Sequence, residues 1–449
     1  MLIKSYLNKI IPSNSIFNKY VIILTSGTIL ANIIQVLSLP LLTQIYSPDA
    51  YGSFGIFISI TTILSICVTL KYENAIMNEK YLKNYINIYI LCILICLSIS
   101  LIYFFILITL DLFIPNLKIL YSGYFLIPLM TFSMGINTAY LMLKNKKKEY
   151  KSIAILSTLQ VLTIIIFQII AGIYYSNSSI MLIIGRLLGF SLITLFSIEL
   201  FINKSIKIIK SINYNKIIIY QKKYKNYRNF TSITGLFHIS SAEIPTLIIN
   251  YFFGNNITGQ FILAKKICFI PMQMLGSNIG KIFLQQTSNS SKENIKEIFQ
   301  STLIKLITLS LIMFLFLLLL VDKLFPLIFG IDWILTSKFI QIITIWTSIG
   351  FIASPLAYLF IVFKKQKEEF IFYVATFITR LSCLILVSFL TKSYLLGLVS
   401  YCCISALNWS FFLYKCLKFF QLNIFKKIIA FTPYILIYIA ILLIIRIIL

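Results

Sequence analysis

Five ionisable residues lie deep in otherwise apolar stretches of this sequence: Arg186, Glu243, Lys265, Lys266 and Arg380. A charge at the centre of a bilayer-spanning helix costs about 2.5–3.5 kcal/mol on insertion scales, so such residues are rare and mark substrate or ion paths. Four of the five are cations, which leaves positive charge for an anion from outside the chain. Guanidinium groups grip phosphate through paired hydrogen bonds, and ammonium groups act on it as point charges. Arg186, Lys265, Lys266 and Arg380 are therefore the candidate cationic cavity for a phosphorylated ligand. Glu243, the one acid deep in an apolar stretch, is a candidate ion-coupling site, because a carboxyl in a low dielectric must take up a proton or cation or find a cationic partner. The alternative pairs Glu243 with one lysine. Lys265 and Lys266 sit about 100° apart on a helix, so one is expected toward ligand and the other toward Glu243 or water.

Most other chemistry is excluded by residue type. There is no GxxxxGK[ST] phosphate loop and no GxGxxG turn, so nucleotide hydrolysis by the chain itself is not expected. The single histidine, His238, gives a His-based metal site or nucleophile triad nothing to work with and reads as a packing residue. The cysteines, Cys67, Cys92, Cys96, Cys268, Cys383, Cys402, Cys403 and Cys416, fall in or beside apolar runs with no metal-ligand spacing, as small packing residues do. The expectation is a protein that is not an enzyme and needs no cofactor or metal.

The elements that must position the charges are membrane helices. The chain has 449 residues, 59% hydrophobic and 12% charged, with a mean hydropathy of +0.94, far from the roughly 25% charged content of soluble domains. About 20 apolar residues cross a bilayer. Such runs fall near 20–42, 52–71, 86–110, 119–143, 152–173 and 179–201, and again near 232–253, 257–280, 301–321, 335–363, 369–390 and 393–414. A further one, near 428–448, ends on Arg446 and is expected as a thirteenth C-terminal helix. The net charge of +26 concentrates in alternate gaps: 144–151, 202–231 and 364–368. That distribution is topology rather than a nucleic-acid footprint, and it places these gaps and the N-terminus in the cytoplasm. Lys305, about one turn inside its run, is expected to reach headgroups with its four-carbon stem.

Three weak matches recur in the same order in both halves. "YGSFGIF" at 51–57 resembles "TGQFILA" at 258–264; "LFIP" ending at Pro115 resembles "LFP" ending at Pro326; "AYLMLKNKKKEY" from Ala139 resembles "AYLFIVFKKQKEEF" from Ala357. Six spans per half is an even number, so both halves run in the same sense, as a parallel repeat about an axis normal to the membrane. The fold class is thus an all-α polytopic membrane protein with about 12 core helices in two six-helix lobes. The organisation is an N-terminal lobe at 1–201, a basic linker at 202–231, a C-terminal lobe at 232–415 and a basic loop with the extra apolar segment at 416–449. Pro245, Pro271 and Pro355 interrupt the second half, where a missing N–H and a ring clash bend helices, and are the candidate hinges.

The opening segment, with Ser26-Gly27, Pro40, Tyr46-Ser47-Pro48, Tyr51-Gly52 and Tyr72-Glu73, resembles polysaccharide export proteins of the multidrug/oligosaccharidyl-lipid/polysaccharide superfamily. "YFFGNNITGQFILAKKICFIPMQMLGSNIGKIFLQQTS", with Gly254, Gly259 and Pro271, and "FPLIFGIDW" from Phe325 continue the resemblance. Gln44 departs from the arginine the family pattern often carries there, and the thirteenth segment exceeds the usual twelve spans. The resemblance implies a Wzx-type flippase of the bacterial inner membrane. Its substrate would be an undecaprenyl-diphosphate-linked oligosaccharide, an O-antigen or capsule repeat unit, and its partners a polysaccharide polymerase and a chain-length regulator. The rival readings are a polysaccharide polymerase, a membrane glycosyltransferase and a peptidoglycan-precursor flippase. A polymerase or transferase needs a sizeable external loop, whereas the longest gap here is basic.

Overall fold

A computed structural model describes residues 16–79, 81–113, 123–175, 177–203, 214–287, 291–363 and 365–420. The expected segment at 428–448 lies outside them. The described residues form helices and turns and no strand: α1 (Ile16–Ile45), α2 (Pro48–Val68), α3 (Leu82–Phe113), α4 (Ile127–Lys146), α5 (Tyr150–Tyr174), α6 (Ser179–Asn203), α7 (Tyr214–Lys223), α8 (Ser232–Pro271), α9 (Ser277–Thr287), α10 (Lys292–Phe329), α11 (Ile334–Leu356), α12 (Tyr358–Val362), α13 (Gln366–Thr391) and α14 (Tyr394–Lys418). Among these residues ten helical segments are long and apolar enough to cross a bilayer. One of them, Tyr227–Leu284, consists of two arms that meet at Gly254, and α1 is a further apolar helix, which accounts for the twelve core helices expected. In hydrocarbon every backbone polar group must be satisfied within its own segment, and helices do this.

The break in α8 falls at Gly254, with φ 79° and ψ −179°. Only glycine adopts that region at acceptable cost, so the kink is a glycine device. Pro245 lies inside the first arm, and Pro271 ends the second, followed by a π-helical turn over Met272–Gly276. Pro355 stands beside the end of α11. The segment read as one span over 257–280 is therefore an arm, a π turn and α9, and the segment read over 335–363 is α11 and α12.

The contacts divide the chain into two units, one of Met1–Ser38, Ile60–Tyr175 and Ile180–Leu236, the other of Leu39–Ser59, Ser176–Ser179 and Phe237–Leu449. In the first, Tyr72, Tyr89, Leu143, Leu156, Ile217 and Tyr220 belong to one buried cluster. It seats α7, an amphipathic helix inside the gap read as a linker. The Tyr72 hydroxyl donates to the Gln221 carbonyl at 3.1 Å, and the Glu79 carboxylate accepts from Lys223 Nζ at 2.6 Å, Tyr224 Oη at 2.7 Å and Asn84 Nδ2 at 2.9 Å.

In the second unit, the two copies of the first sequence match face each other. Asn256 Nδ2 donates to Asp49 Oδ2 at 3.2 Å. A Cβ on Gly259 would meet the Pro48 carbonyl and lie 3.0 Å from the Gly52 nitrogen, one on Gly52 would meet the Asn255 carbonyl, and one on Gly55 would meet the Ile262 side chain. Asp49 and Asn256 are 207 positions apart, as are Gly52 and Gly259, and Gly55 and Ile262. Equivalent residues touch their own counterparts along two turns only if a local two-fold axis runs along both helices, the self-complementary geometry of an isologous contact. An axis in the membrane plane would pair residues on opposite sides of one crossing point instead. The parallel repeat is thus visible in the packing as well as in the sequence.

Candidate functional site

A cavity of about 540 Å³ opens inside the second unit. Helices α8, α11, α12, α13 and α14 and the π turn supply its walls. The two arms of α8 bring His238 and Lys265; α11 brings Trp346; α13 brings Glu369, Tyr373, Thr376 and Arg380; α14 brings Tyr401 and Trp409. The spacing explains the convergence: Glu369, Tyr373, Thr376 and Arg380 form one stripe of α13, and Tyr401 and Trp409 lie two turns apart on one face of α14.

Arg380 is 6% exposed. Its guanidinium lies 4.8 Å from the ring centre of Trp346 and 5.9 Å from that of Tyr401, and Tyr401 also takes part in a hydrogen bond with it. Arg380 Nε and Nη2, Trp409 Nε1 and Thr376 Oγ1 are buried with no hydrogen-bond partner among the described residues. A desolvated cation–π contact is worth about 2 kcal/mol, whereas removing a guanidinium from water costs several kcal/mol. The rings therefore offset only part of the cost, and the geometry favours an anion against the bare N–H edge.

Lys265 is in a different state. Its ammonium donates to the Ala242 carbonyl at 2.7 Å and to Glu243 Oε2 at 3.0 Å, and Ser59 Oγ donates to the same oxygen at 2.9 Å. The pair is partly screened, with side chains 17% and 19% exposed. Of the two adjacent lysines, Lys265 is thus the one that meets Glu243, and it does so while lining the cavity. Lys266 is not part of the wall. Arg186 belongs to the first unit, on α6, with its guanidinium 5.3 Å over Phe190. The structure brings Lys265 and Arg380 into one cavity, and Glu243 to its edge through Lys265.

Sequence reasoning missed the aromatic wall. His238 packs edge-on to Tyr373, ring centres 5.3 Å apart, and Trp346 stands edge-on to Tyr401 at 6.3 Å. The stripe spacing on α13 and α14 was the available signal, but aromatic residues at helical spacing read equally well as core. One hinge candidate, Pro355, lines this cavity beside the segment that follows another, Pro271. Pro271 and the following π turn lead to Gly276 and Gly280, and a Cβ at Gly280 would lie 2.7 Å from Tyr358 and 3.3 Å from Pro355.

The sequence matches the family model described as "Polysaccharide biosynthesis protein" over residues 41–338, more than half of the chain. No curated protein matches it. Among solved structures it is similar to the lipid II flippase MurJ in an inward closed conformation, with a TM-score of 0.72 and 15% identity over 94% of this chain and 92% of that one. It is also similar to an inward-facing multidrug resistance MATE family transporter of the MOP superfamily, with a TM-score of 0.68 and 10% identity over 87% of this chain and 96% of that one. A third is a MOP superfamily transporter from Pyrococcus furiosus, described by the reverse polarity of its binding pocket, with a TM-score of 0.59 and 11% identity over 89% and 95%. The chain is a multi-pass membrane protein of the polysaccharide biosynthesis family, built on the fold of the MOP superfamily transporters.

Proposed function

We propose that this protein is a flippase that carries a polyprenyl-diphosphate-linked oligosaccharide, an O-antigen or capsule repeat unit, from the cytoplasmic to the outer leaflet of the bacterial inner membrane. The observation that carries this reading is the buried Arg380 guanidinium, with N–H groups facing an aromatic cavity in a chain of the polysaccharide biosynthesis family. A headgroup with phosphates cannot cross hydrocarbon bare, because the solvation lost by an unpaired charge exceeds the contact energy available there. A cation already held in the protein replaces part of that hydration. The rings around it suit the apolar faces of sugars, and the polyprenyl tail stays in lipid. The lobes 1–201 and 232–415 alternate between inward-open and outward-open arrangements, with the basic gaps and the N-terminus in the cytoplasm. Arg186 and Lys266 serve the same anion along its path, Pro245, Pro271 and Pro355 take up the bending, and a polymerase and chain-length regulator receive the product. In this reading the chain is a transporter, not a catalyst. The fold of a flippase for lipid II supports it.

The test is complementation of a flippase-deficient strain, with membrane expression followed by immunoblot. Arg380→Ala should abolish surface polysaccharide with expression retained, and Arg380→Lys should restore it only in part, since it keeps the charge and loses the planar fork. Full export when Arg186, Lys265, Lys266 and Arg380 are each neutralised would sink the cationic-cavity mechanism.

A further inference from the structure

In the first unit, a tight reversal of the chain sets two lysines at the mouth of an apolar trough. Helix α4 ends at Lys146, Lys148 takes a left-handed conformation (φ 60°), and its N–H returns to the Asn145 carbonyl at 2.9 Å. The Glu149 N–H returns to the Lys144 carbonyl at 3.0 Å, and α5 begins at Tyr150. The trough, about 410 Å³, is lined at its mouth by Tyr140, Lys144, Lys151 and Ser152 and along its length by Ile155, Leu159 and Phe196.

The charges at the mouth can be counted. Lys144 is held by the Glu149 carboxylate at 2.6 Å, so that pair is neutral. Lys151 is exposed and makes no ion pair among the described residues. One positive charge remains, beside the Ser152 hydroxyl and the first N–H groups of α5, a setting that favours a phosphate oxygen. Below it the wall is apolar and open: Ile155 is 49% exposed, Leu159 39% and Phe196 39%. From Lys151 to Leu159 the helix rises about 12 Å. A single charge above an apolar wall of that length has the shape of an amphiphile, not of a free phosphate or a nucleic acid.

We infer that this trough binds one anionic phospholipid, with its phosphodiester on Lys151, Ser152 and the start of α5, and an acyl chain along Ile155, Leu159 and Phe196. One uncompensated cation matches a phosphodiester, which carries one negative charge, and falls short of a diphosphate. Lys147 and Lys148 in the same turn strengthen the attraction of an anionic surface without lining the trough. This trough belongs to the first unit and shares no residue with the Arg380 cavity.

The experiment uses the full-length protein, purified in detergent and stripped of lipid. Binding of phosphatidylglycerol, phosphatidylcholine and a polyprenyl diphosphate is read by native mass spectrometry. Phosphatidylglycerol should bind in preference to phosphatidylcholine. Lys151→Ala, at an exposed position, should weaken it about fivefold, the factor given by about 1 kcal/mol per basic residue near a charged surface. Phe196→Ser should weaken both phospholipids through the lost apolar wall. Phosphatidylglycerol affinity unchanged in Lys151→Ala would overturn the site. Equal binding of phosphatidylcholine would overturn its charge selectivity. Displacement of phosphatidylglycerol by an equimolar polyprenyl diphosphate, lost in Lys151→Ala, would give the trough to the transported lipid instead.

Discussion

Two regions of the second unit treat their polar groups in opposite ways. Around Gly52 and Gly259 the helices close to backbone contact and the polar groups find protein partners. Gln260 donates to the Asp332 carbonyl at 2.6 Å and accepts from the N–H of Thr336 at 2.9 Å and from its hydroxyl; buried Trp333 donates to the Thr43 carbonyl at 3.0 Å; the Ser47 N–H reaches Asn177 Oδ1 at 2.8 Å. Around Arg380 the side chains are the largest available, space remains, and donors face it without partners among the described residues. A surface saturated in its own hydrogen bonds gains nothing from a ligand. A cavity with a desolvated guanidinium and bare N–H groups does, because leaving them unmade costs about 1–3 kcal/mol each.

The largest effect is expected where the packing is closest. Gly259→Leu places a side chain against the Pro48 carbonyl, and backbone cannot move aside as a side-chain tip can. Overpacking costs typically 1–3 kcal/mol, and this site belongs at or above the upper end. Gly52→Leu should match it, because the two positions are equivalent across the local axis. Thermal unfolding of purified protein should show both variants lowered by similar amounts. Wild-type stability in either would mean that the contact is looser than it looks.

The cavity should answer in the opposite sense. Arg380→Met keeps bulk and removes a buried cation, so thermal stability should be unchanged or higher, as when buried charges elsewhere give way to apolar residues. Export should fall about tenfold to a hundredfold, since hydrogen bonds to charged groups are worth about 1.5–3 kcal/mol. A variant that loses stability and export together would make Arg380 a structural residue and erase the contrast.

How much of this could be read in advance differs between the two regions. The glycine contact was written in the sequence, because the matched segments at 51–57 and 258–264 are the ones that meet. The charged residues of the cavity were legible too, since an ion in an apolar run has few reasons to be there. Which cation was already partnered was not legible. That depends on Ser59 and Glu243 being brought to Lys265 across a long stretch of chain, which no local spacing reveals. The break in α8 was legible as the gap between the runs near 232–253 and 257–280, and Gly254 falls in that gap.

Lys265 gives a middle-sized test of the contrast. Glu243→Gln leaves its ammonium on the Ala242 carbonyl and a neutral amide oxygen, with no opposite charge beside it. Losing one partner costs 3–5 kcal/mol when a pair is fully buried, so this partly screened pair should lose about 2 kcal/mol. The double variant Glu243→Gln with Lys265→Gln should recover most of that, whereas additive losses would mean that the two do not act as a pair. The same Glu243→Gln protein tests the coupling role assigned to the acid: transport that keeps its gradient dependence there would remove Glu243 from ion coupling.

The smallest effect lies in the first unit, where Glu79 holds α7 and where the same contrast between partnered and bare charge can be tuned by pH. Burial pushes the Glu79 carboxyl upward, but hydrogen bonds from Lys223, Tyr224 and Asn84 outweigh it and hold the group below its ordinary value of 4.5. The same contact, chiefly the hydrogen bond to Glu79, raises the Lys223 ammonium above its ordinary range. A carboxyl with a lower pKa when α7 is docked binds fewer protons in that state than when α7 is released. Docking gains from it in full above about pH 4.5 and loses that gain as pH falls through the depressed value. Lys223 carries its charge throughout this window and adds no slope there. Hydrogen exchange at the α7 amides should therefore be flat from neutral pH down to about pH 5, once corrected for the intrinsic rate, and should rise below it. Glu79→Gln should exchange faster at neutral pH, because a neutral amide holds Lys223 less well than a carboxylate, and the acid rise should vanish. Lys223 is largely exposed and its pairing is screened by solvent, so the change should stay local to α7 and leave global thermal stability almost unmoved. An acid rise that survives in Glu79→Gln would assign the pH response to another group and leave α7 held by the buried contacts of Ile217 and Tyr220 alone.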